Sequence, residues 1–326
     1  MQVKARPYSA LDAACWDAFV SASWNGTFLH TRRFLAYHGN RFEDASLLLE
    51  VSGKIVGVFP AAVDPHSEDR VVSHPGATFG GIVHHGLQGQ AMLEALDAVA
   101  AYYQQQSYSN LRYKVVPQIF HRISAADDLY ALYRRGSHRY CCDLGAVLDY
   151  QLTPRVSQRR SRGRKRAAKA GVVVVRGSDF LTDFWPLLEA LLSMKYGVRP
   201  THSLAEIRSL ATLFPGIECV VAQWQGQIVA GVVLFKHHWV DHMQYAAANA
   251  LGLKLSALDI VLSTCLEEGR AAGKKYFSFG SSSEQGGWFL NSGLYTWKTE
   301  FGAGGMLHES YDIALGCANG DPVAAV

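Results

Sequence analysis

Two stretches of this chain follow one plan, and that repetition constrains the fold more than any single motif. The first reads Leu47-Leu48-Leu49-Glu50-Val51-Ser52-Gly53-Lys54-Ile55-Val56-Gly57-Val58-Phe59. The second reads Val220-Val221-Ala222-Gln223-Trp224-Gln225-Gly226-Gln227-Ile228-Val229-Ala230-Gly231-Val232-Val233. Each is an apolar strand, a tight polar turn with Gly, and a strand opening on Ile-Val. A second echo follows each hairpin. Gly86-Leu87-Gln88 leads into an apolar-periodic helix before Leu111-Arg112-Tyr113-Lys114-Val115, and Gly252-Leu253-Lys254 into another before Lys275-Tyr276-Phe277-Ser278-Phe279. A period of about half the chain is too long for a solenoid. The pattern predicts two copies of one α/β domain.

A length of 326 residues fits two domains. The expected boundaries are 1–150 and 151–316, with 317–326 as a loose tail. No apolar run reaches the roughly 18 residues of a membrane-spanning helix. Met1-Gln2-Val3-Lys4-Ala5-Arg6-Pro7 has no apolar signal core. A cytoplasmic protein without a membrane span is the expectation. The six cysteines are scattered without C-x-x-C spacing. Neither a disulfide framework nor a metal site is expected.

Net charge is only +3, but its distribution is uneven. Between Arg155 and Arg176 lie nine basic residues (Arg155, Arg159, Arg160, Arg162, Arg164, Lys165, Arg166, Lys169, Arg176) and no Asp or Glu. Such a run attracts anions, or forms a solvated helix face. Its Arg, Lys and Ala content predicts a helix over 155–170, capped by Gly171 before a strand at 172–175.

Strands are predicted at 46–63, 70–84, 111–116 and 140–148, with helices at 88–106 and 127–135. After the basic segment come a helix at 182–196 and another to 213, opened by a Ser203/Glu206 capping box. Then follow the hairpin 218–235, a strand at 239–248, a loop at Leu251-Gly252-Leu253-Lys254, a helix over 255–272 and a strand at 275–279. Thr296 to Leu315 reads as a paired strand region.

The order of hairpin, strand, Gly loop, helix and strand resembles a GNAT acyltransferase domain. Two of them with a basic segment leading into the second resemble the Fem-like branch of that superfamily. The residues that carry the likeness are Arg164-Lys165-Arg166-Ala167-Ala168-Lys169-Ala170-Gly171-Val172, Tyr196-Gly197-Val198-Arg199-Pro200-Thr201-His202-Ser203, Gly226-Gln227-Ile228-Val229-Ala230-Gly231, Gln244-Tyr245-Ala246-Ala247 and Trp297-Lys298-Thr299-Glu300-Phe301-Gly302. They span most of the chain from 155 on; the N-terminal half matches in layout only. The resemblance implies an α/β fold of two GNAT-like domains, each a mixed, mostly antiparallel sheet flanked by helices. It also implies acyl transfer onto an amine.

In typical GNAT enzymes the acyl-CoA pyrophosphate sits on the loop before the long helix. That maps to Gly252, Leu253, Lys254, Leu255 and Ser256, with backbone N–H groups of Tyr245, Ala246 and Ala247 near the acyl carbonyl. The usual Q/R-x-x-G-x-G/A pattern keeps one Gly here, a departure for which the charge of Lys254 compensates. Acyl-CoA is then a co-substrate, with no permanently bound cofactor. Fem-type peptidyltransferases use aminoacyl-tRNA instead and often carry a coiled-coil arm, for which this chain has no heptads. Other tandem GNAT proteins acylate amino sugars on nucleotide carriers for surface polysaccharide, and this compact chain resembles those most. A non-catalytic binding protein with a degenerate Gly loop is a further alternative.

Acyl transfer needs a proton acceptor, a carbonyl-oxygen site and positioned substrates. The candidate bases are His202, in a loop shaped by Gly197 and Pro200, and Glu284, just past a strand end. Asp241 and His242 alternate on one strand, so only one of them can face a site. Arg159, Arg160, Arg164, Tyr196 and Lys298 are candidates for a phosphorylated amine acceptor, with Lys298 otherwise an edge-strand lysine. The partners expected are acyl-CoA and that acceptor, not DNA, with tRNA a lesser possibility. The Gly-rich 74–81 loop and Trp24–His30 are candidates to line an acceptor pocket; core packing is the alternative for Trp24 and Phe28.

Overall fold

The computed structural model describes residues 2–152 and 155–316; the expected tail at 317–326 lies outside the described residues. The chain divides into two compact units. One holds the chain up to Asp143, Gln285–Trp288 and the chain from Leu307 on; the other holds Leu144–Glu284 and Phe289–Met306. The sequence suggests a single cut at 150, whereas the chain here returns to the first unit for its final strand.

The elements of the first half are β1 (Lys4–Pro7), α1 (Ala13–Ala22), α2 (Arg32–Leu35), β2 (Leu47–Val51), β3 (Lys54–Phe59), β4 (Ala62–Asp64), β5 (Ser67–Val72), β6 (Val83–His84), α3 (Gln90–Gln105), β7 (Asn110–Lys114) and α4 (Asp127–Arg134). Then come β8 (His138–Asp149), α5 (Gln158–Lys169), β9 (Val173–Arg176), α6 (Leu181–Tyr196), α7 (Leu204–Leu213), β10 (Ile217–Trp224), β11 (Gln227–Lys236) and β12 (Val240–Ala248). The chain continues with α8 (Ala250–Leu255), α9 (Ala257–Ala271), β13 (Tyr276–Ser281), β14 (Ser283–Glu284), β15 (Phe289–Leu290), α10 (Ser292–Thr299) and β16 (Gly304–Ala314). No helix among the described residues is long and apolar enough to cross a membrane.

The two hairpins repeat each other in detail. Ser52 and Gly53 have φ of 50° and 76°, and Gln225 and Gly226 have 50° and 79°. Positive φ at both central positions is the turn whose twist matches its strands, and it explains the Gly in each copy. The register then slips by one residue at the same place in both. Glu50 faces Ile55 and Leu49 faces Gly57, leaving Val56 extra. Gln223 faces Ile228 and Ala222 faces Ala230, leaving Val229 extra. Such a bulge bends the strand and sharpens its twist.

In the first unit β1-β2-β3-β6 form one sheet and β4-β5-β7-β16 another. Met92, Leu96 and Val99 of α3 pack with Leu47, Phe59, Leu111 and Tyr113. In the second unit the sheet order is β8-β13-β12-β11-β10-β9, with only the β12–β13 pair parallel. Val261, Leu262 and Cys265 of α9 pack on one face, against Val220, Val232 and Phe277. Trp185 of α6 meets Tyr245 on the other face, ring to ring at 5.3 Å.

Three expectations are corrected. The strand expected at 70–84 is β5 and the short β6, with the 73–82 segment between them. The loop expected at 251–254 is helical, because Asn249 caps it: its Oδ1 accepts the Gly252 N–H at 2.8 Å. Gly252 is needed for another reason. A Cβ there would lie 2.1 Å from the Val229 carbonyl oxygen. Finally, the strand region expected over 296–315 begins as helix α10. Asn291 accepts the Leu294 N–H at 3.0 Å, and Trp297 packs on Phe301 one turn later. The Ser203/Glu206 capping box forms as expected, with both reciprocal bonds present.

Candidate active site

The site begins where two strands part. The β12–β13 ladder lasts for three pairs, Val240 with Tyr276, Asp241 with Phe277 and His242 with Ser278. β12 then runs on to Ala248, while β13 turns to β8, pairing Ser281 with Gly145. Main-chain groups of β12 beyond His242 thus lack a ladder partner on β13. A bulge marks the same stretch. Leu234 faces Met243 and Val233 faces Tyr245, so Gln244 is extra. The predicted oxyanion segment, Tyr245 to Ala247, lies on the open arm of this fork.

A cavity of about 320 Å³ lies at the end of that arm, lined by Arg159, Arg166, Ala248, Leu253, Ser256 and Trp297 among others. Ser256 has φ 58° and ψ 39°, an uncommon conformation for a residue with a side chain, and it separates α8 from α9. The first turn of α9 therefore starts at the cavity, where N–H groups and helix dipole favour an anion. Gly252, Leu253 and Ser256 line this cavity, whereas Lys254 and Leu255 are not among its lining residues.

Helix α5 supplies the cations, and its faces differ. Arg160, Gly163 and Ala167 are buried against α9. Arg160 is ion-paired with Asp259 at 2.6 Å and Glu300 at 2.9 Å, so its charge is neutralised inside the protein. Arg160, expected as a substrate ligand, does line the cavity, but it is already held by two carboxylates, and one of them, Asp259, lines the cavity as well. A Cβ at Gly163 would fall 1.8 Å from Asp259 Oδ2, so glycine lets α5 approach. Arg164 forms a two-pronged pair with Glu267 at the surface and lines a different cavity. Arg159 is exposed, and Arg166 reaches within 3.4 Å of Ser256 Oγ. Spaced seven residues apart, these two share a face of α5. Arg166 and Trp297 line the cavity too, although neither is among the site residues the sequence suggests; for Arg166 the signal is its seven-residue spacing from Arg159.

On the other face of the sheet, His202 Nδ1 lies 2.7 Å from Tyr245 Oη, and the His202 N–H donates to the same hydroxyl at 3.3 Å. Both residues are largely buried, and burial raises the Tyr245 pKa. His202 thus meets the open arm of the fork through Tyr245, a pairing the sequence did not indicate. Lys298 is a buried helix residue rather than an edge-strand one. Its ammonium group donates to the Gly280 carbonyl at 3.0 Å and to the Ser281 carbonyl, at the end of β13. Burial lowers its pKa to about 7.

The other candidates are dispersed. Glu284 is exposed on the β14–β15 hairpin and accepts a hydrogen bond from Asn291 at 3.0 Å. Tyr196 is surface-exposed at the end of α6, with the Lys195 ammonium 5.1 Å from its ring. Asp241 is buried beside Lys274 at 3.4 Å, and burial raises its pKa. His242 Nδ1 lies 3.0 Å from Ser278 Oγ, just where the fork opens.

The first unit has a cavity of about 700 Å³ lined by Tyr8, Arg32, Arg33, His38, Phe42 and His74 among others. Only His74 of the Gly-rich 74–81 segment lines it. Trp24 packs against His84 and His85, and Phe28 against Phe34.

Residues 155–298 match the family model described as an acetyltransferase (GNAT) domain. FemX, over 95% of this chain and 97% of its own, is 11% identical with a TM-score of 0.67. A tandem GNAT protein from the clavulanic acid biosynthesis pathway is 10% identical over 97% and 100%, with a TM-score of 0.54. L-PGS from Bacillus licheniformis is 10% identical over 85% of each chain, with a TM-score of 0.57. No curated protein matches the chain in sequence. The GNAT domain, of the acetyltransferase class, is the part of the chain that holds the open fork and the Arg-lined cavity at a helix start. Residues 155–298 thus form a GNAT domain, and the fold of the whole chain is similar to that of FemX and of a tandem GNAT protein.

Proposed function

We propose that this protein moves an acyl group from acyl-CoA to an amine on a phosphorylated carrier, a nucleotide-linked amino sugar of surface polysaccharide. The observation that carries the donor reading is the cavity between α5 and the start of α9, with Arg159 and Arg166 beside Ser256. Two arginines and a helix start suit a pyrophosphate, and Trp297 offers a ring for a base to stack on. From there a pantetheine arm would run along the open arm of β12, taking N–H groups of Tyr245 to Ala247 as its oxyanion site. The amine nitrogen attacks the thioester carbon, the C–S bond breaks, the amine gives up a proton and the thiolate takes one. Tyr245, kept protonated by burial, suits the second proton transfer. Lys298, neutral in part near pH 7, suits the first; His202 and Glu284 are the other candidates. The acceptor class rests on the family resemblance.

One observation favours a second reading, transfer from aminoacyl-tRNA. Arg159, Arg162, Arg166 and Lys169 recur every three or four residues on the exposed side of α5, with exposed Arg155 just before it, a track for a longer polyanion. Thermal denaturation separates the two. At a hundredfold excess over Kd, a ligand that binds only the native state stabilises it by about 2.7 kcal/mol. Acyl-CoA should raise Tm, and charged tRNA should not. A shift with charged tRNA and none with any acyl-CoA would reverse the assignment.

A further inference from the structure

Helix α5 has a second flank, and the reaction makes no use of it. Between α5 and α9, on the side away from Arg166, lies a cavity of about 540 Å³. Leu148, Tyr150, Leu266 and Phe301 make its apolar lining, and Arg164, Lys165 and Arg270 bring cations to it. Arg164 is paired with Glu267, but neither Lys165 nor Arg270 has a carboxylate partner among the described residues. Apolar side chains stand out beside it. Val156 lines the cavity and is 41% exposed, and Leu152, whose carbonyl oxygen lies 3.5 Å from Arg270 Nη2, is 67% exposed. Arg162 and Lys169, both exposed, extend the positive face along the same helix, and exposed Arg155 lies just before its start.

We infer that this groove and the exposed side of α5 dock the protein on an anionic bilayer, with one acidic phospholipid seated between α5 and α9. Charge complementarity argues for that occupant. A cationic rim over an apolar floor matches a phosphate head joined to acyl chains, and the basic face around it matches a surface of such heads. A nucleic acid would use the charges but has no use for a floor of Leu148, Leu266 and Phe301. Exposed Leu152 and Val156 supply the shallow apolar insertion that accompanies electrostatic attachment at an interface. Lipid docking makes no use of Arg159 and Arg166, which line the other cavity, so it is compatible with CoA as donor, whereas a tRNA held along Arg162 and Lys169 would compete with it.

The test is vesicle co-sedimentation of the full chain, using phosphatidylcholine vesicles with and without phosphatidylglycerol. The protein should sediment with the phosphatidylglycerol vesicles and stay in solution with phosphatidylcholine alone. Ala168 is exposed and lines the groove, so A168W fills it without disturbing the core. A168W should cut vesicle binding by about tenfold or more while Tm and acyl-donor binding stay as in the parent. K165E with R270E should cut it further, by roughly 30-fold per reversed charge. V156S gives a second apolar test that leaves every charge in place. Absence of binding to phosphatidylglycerol vesicles would overturn the inference. So would binding that neither A168W nor V156S weakens, since the groove would then take no part. Binding of an RNA duplex that A168W weakens more than it weakens vesicle binding would give the groove to nucleic acid instead.

Discussion

The two halves share a hairpin and differ in the strand that follows it. In the first unit the strand after the bulge is β6, two residues long, pairing Val58 with Val83 and Gly57 with His84. Its sheet stops there, and β7 belongs to another sheet. The gap is closed by side chains. The Tyr113 hydroxyl accepts the Ile82 N–H at 2.8 Å and donates to Asp128 at 2.9 Å, while Phe79 packs on Phe120. In the second unit the matching strand is β12, nine residues long, and it leaves β13 after three pairs. The same plan thus yields a plugged fork and an open one. A parallel pair that separates leaves peptide groups facing the gap, which suit a ligand able to hydrogen-bond to them. Where tyrosine and phenylalanine fill the gap, the peptide groups already have partners and the unit is left to support, or to bind elsewhere.

Polarity separates the units as well. Both units bury histidines; the second also gathers arginines at a helix start, and in the first His30, His74 and His84 are held well below the ordinary imidazole range. His30 and His84 each accept a backbone N–H on Nδ1, from Thr27 at 2.9 Å and Leu87 at 3.1 Å. Protonating Nδ1 would cost that bond, and burial already lowers both pKa values to about 4. His74, with a left-handed φ of 53°, is lowered to about 2 by burial. Lys114, lowered to about 8 by burial, donates to the His74 and Ala77 carbonyls and ties down the Gly-rich segment.

The largest effect should come from removing a proton acceptor at the open fork. K298M is expected to lower kcat by about 10²–10⁴-fold with the fold intact. If neutral Lys298 takes the amine proton, the parent rate rises as pH rises through about 7, and K298M loses that limb. H202A and E284Q are tested in the same way. Normal rates in all three would leave positioning and backbone N–H groups to carry catalysis.

Next is the seam that seats the arginines. Arg160 is buried between Asp259 and Glu300, so R160A should destabilise the second unit by about 3–5 kcal/mol in urea unfolding, because two carboxylates lose their cation. A loss under about 1 kcal/mol would mean that α5 is held by Gly163 and Ala167 packing instead. By contrast R159A with R166A should leave stability nearly unchanged and weaken donor binding about 10²–10⁴-fold, since charge-assisted hydrogen bonds contribute about 1.5–3 kcal/mol each. Calorimetric titration with CoA reads this directly. An unaltered Kd would move the donor phosphates elsewhere.

The smallest expected effect tests the first unit. Between pH 6.5 and 4 the unfolded chain takes up protons at His30, His74 and His84 and the native chain does not. Stability therefore falls as pH falls through that window, by about 1–2 kcal/mol per histidine at pH 5. Asp128, raised to about 6 by burial, works in the opposite direction, but it is one group against four histidines, since burial lowers His121 as well. Hydrogen exchange at pH 5 should therefore quicken in the first unit before the second, and H30Q with H84Q should narrow the difference. Uniform exchange across both units would break the contrast.

The sequence by itself determined the repeat, both turns, the helical basic segment, the Ser203 cap and the GNAT order of the second half. Each of these is local: a turn needs positive φ, a strand needs alternating burial, and a helix needs good formers and a cap. Tertiary structure alone decided which of the basic residues faces what. Arg159, Arg160, Arg164 and Arg166 look alike in a row, and only the packing of α5 on α9 puts Arg160 between Asp259 and Glu300, Arg164 beside Glu267, and leaves Arg159 and Arg166 exposed at the cavity that Arg160 also lines. It also decided that Asn249 turns the Gly252 loop into a helix, that Lys298 is buried on α10, and that His202 meets Tyr245 from 43 residues away. Above all it decided which fork stays open. Both copies carry the same hairpin, but whether the next strand keeps or leaves its neighbour depends on side chains such as Tyr113 that arrive from distant parts of the chain, and no local pattern records their arrival.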